Sequence, residues 1–157
     1  MDYERHVVLI SPDVHWNTGN IGRTCIGTNA FLHLIKPIGF SLDSREVKRA
    51  GLDYWHKVKL AVWDDFANFV NQMKPDPDEI ALFSKNGKKC FWEFGSPGRM
   101  FLVFGSETKG IPETLMKQYA TYHIPISKEI RCLNLSTAVG IALFESLRPV
   151  DFRHEWS

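Results

Sequence analysis

Short apolar runs alternate with stretches of helical spacing along this chain, and that alternation constrains its fold more than any other feature. Val7-Val8-Leu9-Ile10 is a β-branched run stopped by Ser11-Pro12-Asp13, the pattern of a buried strand and a turn. Thr18-Gly19-Asn20 opens a helical stretch to about residue 30, with Ile21, Thr24, Cys25 and Thr28 at helical spacing. A second strand is expected at 32–35, then a helix capped by Ser44, then a strand over 56–62. Asp64 or Asp65 caps a helix carrying Phe66, Phe69, Val70 and Met73. Strands follow at 79–83, 100–104 and 122–126, with a helix begun by Pro112 and a last helix over 134–147. Strands separated by helices imply an α/β fold, a mostly parallel sheet covered by helices on both faces. No linker, repeat or low-complexity tract interrupts the 157 residues, so residues 1–157 are expected to form one domain.

Composition narrows the setting. With 44% hydrophobic and 24% charged residues the chain can bury a core, and no apolar run approaches the roughly 18 residues of a membrane span. The N-terminus has neither the long apolar region nor the small-residue cleavage site of a signal peptide. Cys25, Cys90 and Cys132 form no C-x-x-C pair, so a reducing cytoplasm without disulfides or a metal site is expected. Net charge is only +1, but it is segregated: +3 over residues 44–59, −4 over 64–79 and +3 over 85–99. Either one basic face for a polyanion or an ordinary solvated surface would give this pattern.

In a parallel sheet, ligands bind where loops leave the carboxyl ends of strands, which selects loops 11–23, 104–111 and 126–136. The first, Asn17-Thr18-Gly19-Asn20-Ile21-Gly22-Arg23, sets glycines at a strand–helix junction, where backbone N–H groups can approach an anion. It lacks dinucleotide spacing, and Arg23 in the first helical turn either faces the site or is a surface arginine. In the second, Gly105-Ser106-Glu107-Thr108-Lys109-Gly110, the Walker pattern is absent. Glu107 there contacts a polar substrate group or caps the helix begun by Pro112. In the third, Asn134 or Ser136 can cap the last helix, and Leu133 with Leu135 could sandwich an adenine ring.

Taken together and in this order, these loops resemble the SPOUT superfamily of methyltransferases. The most similar branch is the small bacterial one that methylates the ribose 2′-OH of the tRNA wobble nucleotide. The resemblance rests on 17–23, Ala50-Gly51-Leu52-Asp53-Tyr54-Trp55, 104–110 and Leu133-Asn134-Leu135-Ser136, and it spans nearly the whole chain. It implies a C-terminal deep trefoil knot, which periodicity does not predict, together with a homodimer and bent S-adenosylmethionine, released as S-adenosylhomocysteine. Carried over by position, cofactor contacts fall on Leu82, Gly105, Gly110, Ile124, Cys132, Leu133, Ser136 and Ala138. The family's arginine falls on Arg23, with Glu107, Asn134 and Ser136 as the other catalytic candidates. An arginine remains a cation, so holding phosphate and polarising the ribose oxygen suits Arg23 better than acting as a base. Asn17, Arg45, Lys48, Arg49, Tyr54 and Lys57 are the expected contacts to the tRNA anticodon stem-loop. Tyr54, Trp55 and Trp16 would stack on bases or else serve core or dimer packing.

Two positions depart from the family pattern: Cys132 stands where serine is frequent, and Gly22 where a larger apolar residue is common. The alternatives are a ribosomal RNA 2′-O-methyltransferase and a non-catalytic RNA-binding α/β module. The first is disfavoured because ribosomal members commonly carry an extra N-terminal domain, whereas this chain begins at its first strand. Arg23 together with all three loops disfavours the second.

Overall fold

β1 (Glu4–Ile10) lies near the middle of a seven-stranded sheet, because a run this apolar must be covered on both faces. In a computed structural model the structure describes residues 3–95 and 98–150. Elements follow in the order α1 (His15–Thr28), β2 (Phe31–Ile35), α2 (Ser44–Arg49), β3 (Lys59–Trp63), α3 (Phe66–Met73) and β4 (Ile80–Phe83). Then come β5 (Lys89–Cys90), β6 (Arg99–Phe104), α4 (Glu113–Met116), β7 (Ala120–His123) and α5 (Leu135–Leu147). Strand order is β3-β2-β1-β6-β4-β7-β5, and every paired neighbour is parallel.

Strand alternation divides the core in two. Val7, Leu9, Leu102 and Phe104 face a cluster with Ile21 and Cys25 of α1 and Val139, Ala142 and Leu143 of α5. Val8, Ile10, Leu82, Phe101 and Val103 face Phe69 of α3, with Leu115 and Met116 of α4 at the margin. Fully burying each such side chain stabilises by roughly 1.5–3 kcal/mol. Arg5 is nevertheless buried, donating from Nε to Ser146 Oγ and from Nη2 to the Ser146 carbonyl, so it ties β1 to the end of α5. Burial lowers its pKa to about 10, which leaves it charged.

A chain of rings crosses the sheet obliquely, from Trp63 at the end of β3 through the middle of β2 to the start of β1. Trp63 Nε1 can only donate, so His33 Nδ1 accepts from it at 3.0 Å. His33 Nε2–H then donates to His6 Nδ1 at 2.8 Å, and His6 Nε2–H to Glu4 Oε1 at 3.0 Å. Burial, as the largest cause, depresses the pKa of His6 to about 4 and of His33 to about 3. Nearby, Arg99 pairs with Glu79 at 2.8 Å and donates to the carbonyls of Met73 and Lys74, closing the end of α3.

Boundaries moved where tertiary contacts override local pattern. α1 begins at His15, three residues before the expected start, and Asp43 rather than Ser44 caps α2, accepting from Arg45 N. The expected strand over 56–62 is a 3₁₀ turn, Trp55–Lys57, followed by β3. β7 ends at His123 rather than 126, because the chain there leaves the sheet. The two-residue β5 carried no detectable period. Asp65 caps α3 as expected, accepting from Asn68 N at 2.7 Å.

Candidate active site at the carboxyl edge

Loops 84–88, 105–112 and 124–134 leave the carboxyl ends of β4, β6 and β7, which stand side by side in the sheet (β6-β4-β7). Loop 105–112 folds back on itself: Ser106 and Gly110 form an antiparallel bridge, and Ser106 Oγ accepts from Lys109 N. A Cβ on Gly105 would collide with the backbone of Gly110 and Ile111, and Gly110 sits at φ +68°, so both positions require glycine. Loop 84–88 lies equally close to β7. Gly87 has no room for a Cβ against the Tyr122 backbone, and its carbonyl contacts His123 Nδ1 at 2.8 Å.

Between these loops is an apolar cleft of about 120 Å³, lined by Phe83, Ser84, Lys85, Ile124, Ile126, Cys132, Leu133 and Ala138. Four expected cofactor contacts, Ile124, Cys132, Leu133 and Ala138, therefore converge. At Leu82 the expected cofactor contact is left to the backbone. Its side chain is fully buried on the α3 side of the sheet, and by strand alternation its neighbour Phe83 faces the cleft instead. Leu135 is no second wall, since it packs into the core of the α1/α5 face. Phe83, Ser84, Lys85 and Ile126 were missed; the period-2 rule applied at Leu82 would have signalled Phe83.

A polar network locks the loops together. The Glu107 carboxylate accepts from Asp13 N at 2.9 Å, Val14 N at 3.1 Å and Asn17 Nδ2 at 3.0 Å. α1 has no capping side chain of its own, so Glu107 supplies the cap from across the sheet and places negative charge at the helix start. It does not cap α4, where Pro112 is the N-cap residue. Asn17 Oδ1 in turn accepts from Asn134 Nδ2 at 3.0 Å. Asn134 Oδ1 caps α5, accepting from Ser136 N at 2.9 Å and Ser136 Oγ at 2.6 Å. Asn17, expected to bind RNA, is instead buried with both ends of its amide engaged.

The glycines of α1 serve packing rather than anion binding. A Cβ on Gly19 would lie 3.0 Å from Leu52, and one on Gly22 would lie 2.7 Å from the Trp55 ring. This explains the small residue at position 22: Trp55 takes the space a larger side chain would fill. On the same helix the exposed Arg23 guanidinium lies 5.4 Å from the Tyr54 ring centroid, and Tyr54 Oη donates to the Gly19 carbonyl at 2.9 Å. Burial raises the Tyr54 pKa against the opposing Arg23 charge, keeping the phenol neutral. Arg45 and Arg49 line a separate cavity, while Lys48 and Lys57 are exposed nearby in sequence. Among the described residues no group of histidine, cysteine and carboxylate side chains could hold a metal, and no helix is long and apolar enough to cross a membrane.

Residues 4–144 match the model of the SpoU rRNA Methylase family. A Lactobacillus gasseri protein provisionally named RNA (cytidine(34)-2′-O)-methyltransferase is 46% identical over 152 residues, covering 94% of this chain and 82% of that protein. A solved structure described as giving insights into the 2-OH methylation of C/U34 on tRNA superposes with TM-score 0.84 at 38% identity, covering 94% of this chain and 97% of that one. An AdoMet-bound rRNA methyltransferase from Sinorhizobium meliloti shares the fold, with TM-score 0.83 at 24% identity, and the chain spans 57% of it.

Proposed function

The chain belongs to the SpoU rRNA methylase family, and from that premise we propose that it methylates the ribose 2′-OH of the tRNA wobble nucleotide, C34 or modified U34. The methyl donor is S-adenosylmethionine, which supplies an electrophilic methyl on a cationic sulfur and leaves as S-adenosylhomocysteine. The observation that carries this reading is the apolar cleft of Phe83, Ile124, Cys132, Leu133 and Ala138. It stands at the carboxyl edge, where Glu107, Asn17 and Asn134 tie the 105–112 loop, the start of α1 and the end of the 124–134 loop together. Its size and apolar walls suit a purine ring, with the Gly105–Gly110 loop beside it narrow enough to follow a bound chain.

When bound, S-adenosylmethionine would supply its methyl group to O2′, and the hydroxyl proton would pass to solvent water. Arg23 is the catalytic residue: its permanent charge, carried on the neutral Tyr54 ring, holds phosphate and stabilises the developing oxyanion. Glu107, Asn134 and Ser136 are positioning residues, since their polar atoms are spent on helix caps and on one another. Rates of methyl transfer depend on such in-line placement. Arg45, Lys48, Arg49 and Lys57 form the basic approach for the anticodon stem-loop.

A trefoil knot is part of this reading. β7 lies between β4 and β5, whereas α5 packs on α1, β1 and β6, so the chain after residue 123 must cross the carboxyl edge among the folded-back loops. A homodimer is supported by Trp16 on α1 and Ile141 and Phe144 on α5, exposed apolar residues on two helices that pack together. The cytoplasm, where tRNA is modified, is the expected location.

The test is incubation of labelled methyl donor with total tRNA and with ribosomal RNA, followed by mapping of the label. Label at position 34 of tRNA is expected. Label in ribosomal RNA alone would favour the ribosomal reading carried by the family's name.

A further inference from the structure

A cavity of about 590 Å³ lies outside the cleft just described. It opens between the start of α1 and the 40–55 segment, with His15, Thr18, Phe40, Arg45, Arg49 and Trp55 in its walls. Its volume falls within the roughly 300–1,000 Å³ of small-ligand sites. We propose that this cavity receives the base of the target nucleotide, turned out of the anticodon loop, while the ribose and phosphate of that nucleotide reach Arg23.

The chemistry of the walls selects the occupant. Phe40, Trp55 and His15 supply ring faces, and His15 and Phe40 stand 6.4 Å apart between centroids. Single-stranded bases are held by stacking on such groups. Charge in the walls is balanced rather than positive. Glu46 pairs with Arg49 at 3.2 Å, and Asp43 is occupied in capping α2. A bare anion gains little there, whereas a neutral ring with one phosphate at the rim fits. Arg45 is suited to that phosphate: it is exposed and has no carboxylate partner among the described residues. Thr18 keeps a hydroxyl without a hydrogen-bond partner among the described residues, an uncompensated polar group that a base edge would satisfy.

Position supports the same occupant. His15, Gly19 and Arg23 follow one another at four-residue spacing, so they share a stripe of α1. His15 and Gly19 line the cavity, and Arg23 lies one turn further, about 6 Å along the axis. That is the scale of one nucleoside. Tyr54, which carries Arg23, is anchored on the Gly19 carbonyl and adjoins Trp55 in the wall. Base cavity and catalytic arginine therefore form one rigid unit.

This inference rests on the proposed methyl transfer to tRNA, and binding separates the two. Full-length protein is titrated into a fluorescent anticodon stem-loop, intact or lacking only the base at the target position, and anisotropy gives Kd. The wild type is expected to bind the abasic RNA about tenfold to a hundredfold more weakly. Phe40→Ala should weaken the intact RNA by a similar factor and lose little more on the abasic one. Phe40→Tyr should restore discrimination, and S-adenosylhomocysteine binding should be unchanged throughout. Independent, multiplying losses, equal binding of both RNAs by the wild type, or normal binding by Phe40→Ala overturns the assignment. So does a Phe40→Ala protein of altered mass in light scattering, because the cavity would then be a subunit contact. Failure of wild-type protein to methylate any tRNA, with base-dependent binding retained, defeats the methyl-transfer reading alone.

Discussion

Two hydrogen-bonded chains of side chains stitch separate segments of this protein, one at the carboxyl edge of the sheet and one running obliquely across three of its strands. At the carboxyl edge, Glu107, Asn134 and Ser136 are at least partly exposed while Asn17 is buried, and their partners include backbone amides at two helix starts. From the end of β3 to the start of β1, Trp63, His33, His6 and Glu4 run in one fixed donor direction through an aromatic core of Phe31, Phe69 and Phe101. The first holds loops whose shape decides the chemistry. The second holds three strands and touches no loop of the site. Polar networks of similar size therefore serve different ends, according to whether they finish at loops or inside a core.

Arg23→Ala gives the largest effect expected at the carboxyl side. Methyl transfer should fall about a thousandfold, near 4 kcal/mol of barrier, with S-adenosylhomocysteine affinity and melting temperature almost unmoved. Near-normal turnover would remove Arg23 from the mechanism. His33→Ala, in the other chain, opens a cavity and leaves Trp63 Nε1 and His6 Nδ1 unpaired, which should cost about 3–4 kcal/mol in urea unfolding. Turnover per folded molecule should be retained; a matching loss of kcat would erase the distinction between the two networks.

Glu107→Ala should cost about 2–3 kcal/mol, because three N–H donors lose a charged acceptor. Unlike the histidine change it should also lower kcat, as the start of α1 shifts against the 105–112 loop. Acid acts on the histidine chain. Folded His6 and His33 hold their protons only near pH 4 and 3, while an unfolded histidine binds one near 6.5. Below pH 6.5 the unfolded state takes up more protons, so stability falls as pH drops, by about 2 kcal/mol for each histidine at pH 5, and is flat above 7. Urea midpoints across pH 4.5–7.5 measure this, and His33→Ala should roughly halve the dependence, leaving the share of His6. Ser136→Ala is the smallest change. Its hydroxyl adds one exposed bond to an Asn134 already capping α5 through backbone amides, so less than about 1 kcal/mol should be lost.

The order of strands and helices was readable from the chain, because β-branched runs and helical spacing report burial directly. So were the caps, narrowed to Asp64 or Asp65 and to Asn134 or Ser136, while the grouping of Ile124, Cys132, Leu133 and Ala138 came from the family resemblance. The element order and the caps depend on near neighbours. Tertiary structure alone decided the role of Glu107, whose partners lie ninety or more residues away and include two backbone amides of the kind any residue carries. It likewise decided that Gly19 and Gly22 receive Leu52 and Trp55, that Leu82 faces the helices while Phe83 faces the cleft, and that two histidines share one proton path. A sequence states which groups are available, and local period states which way they point. Which distant group meets them is settled only when the sheet fixes the spacing of its loops.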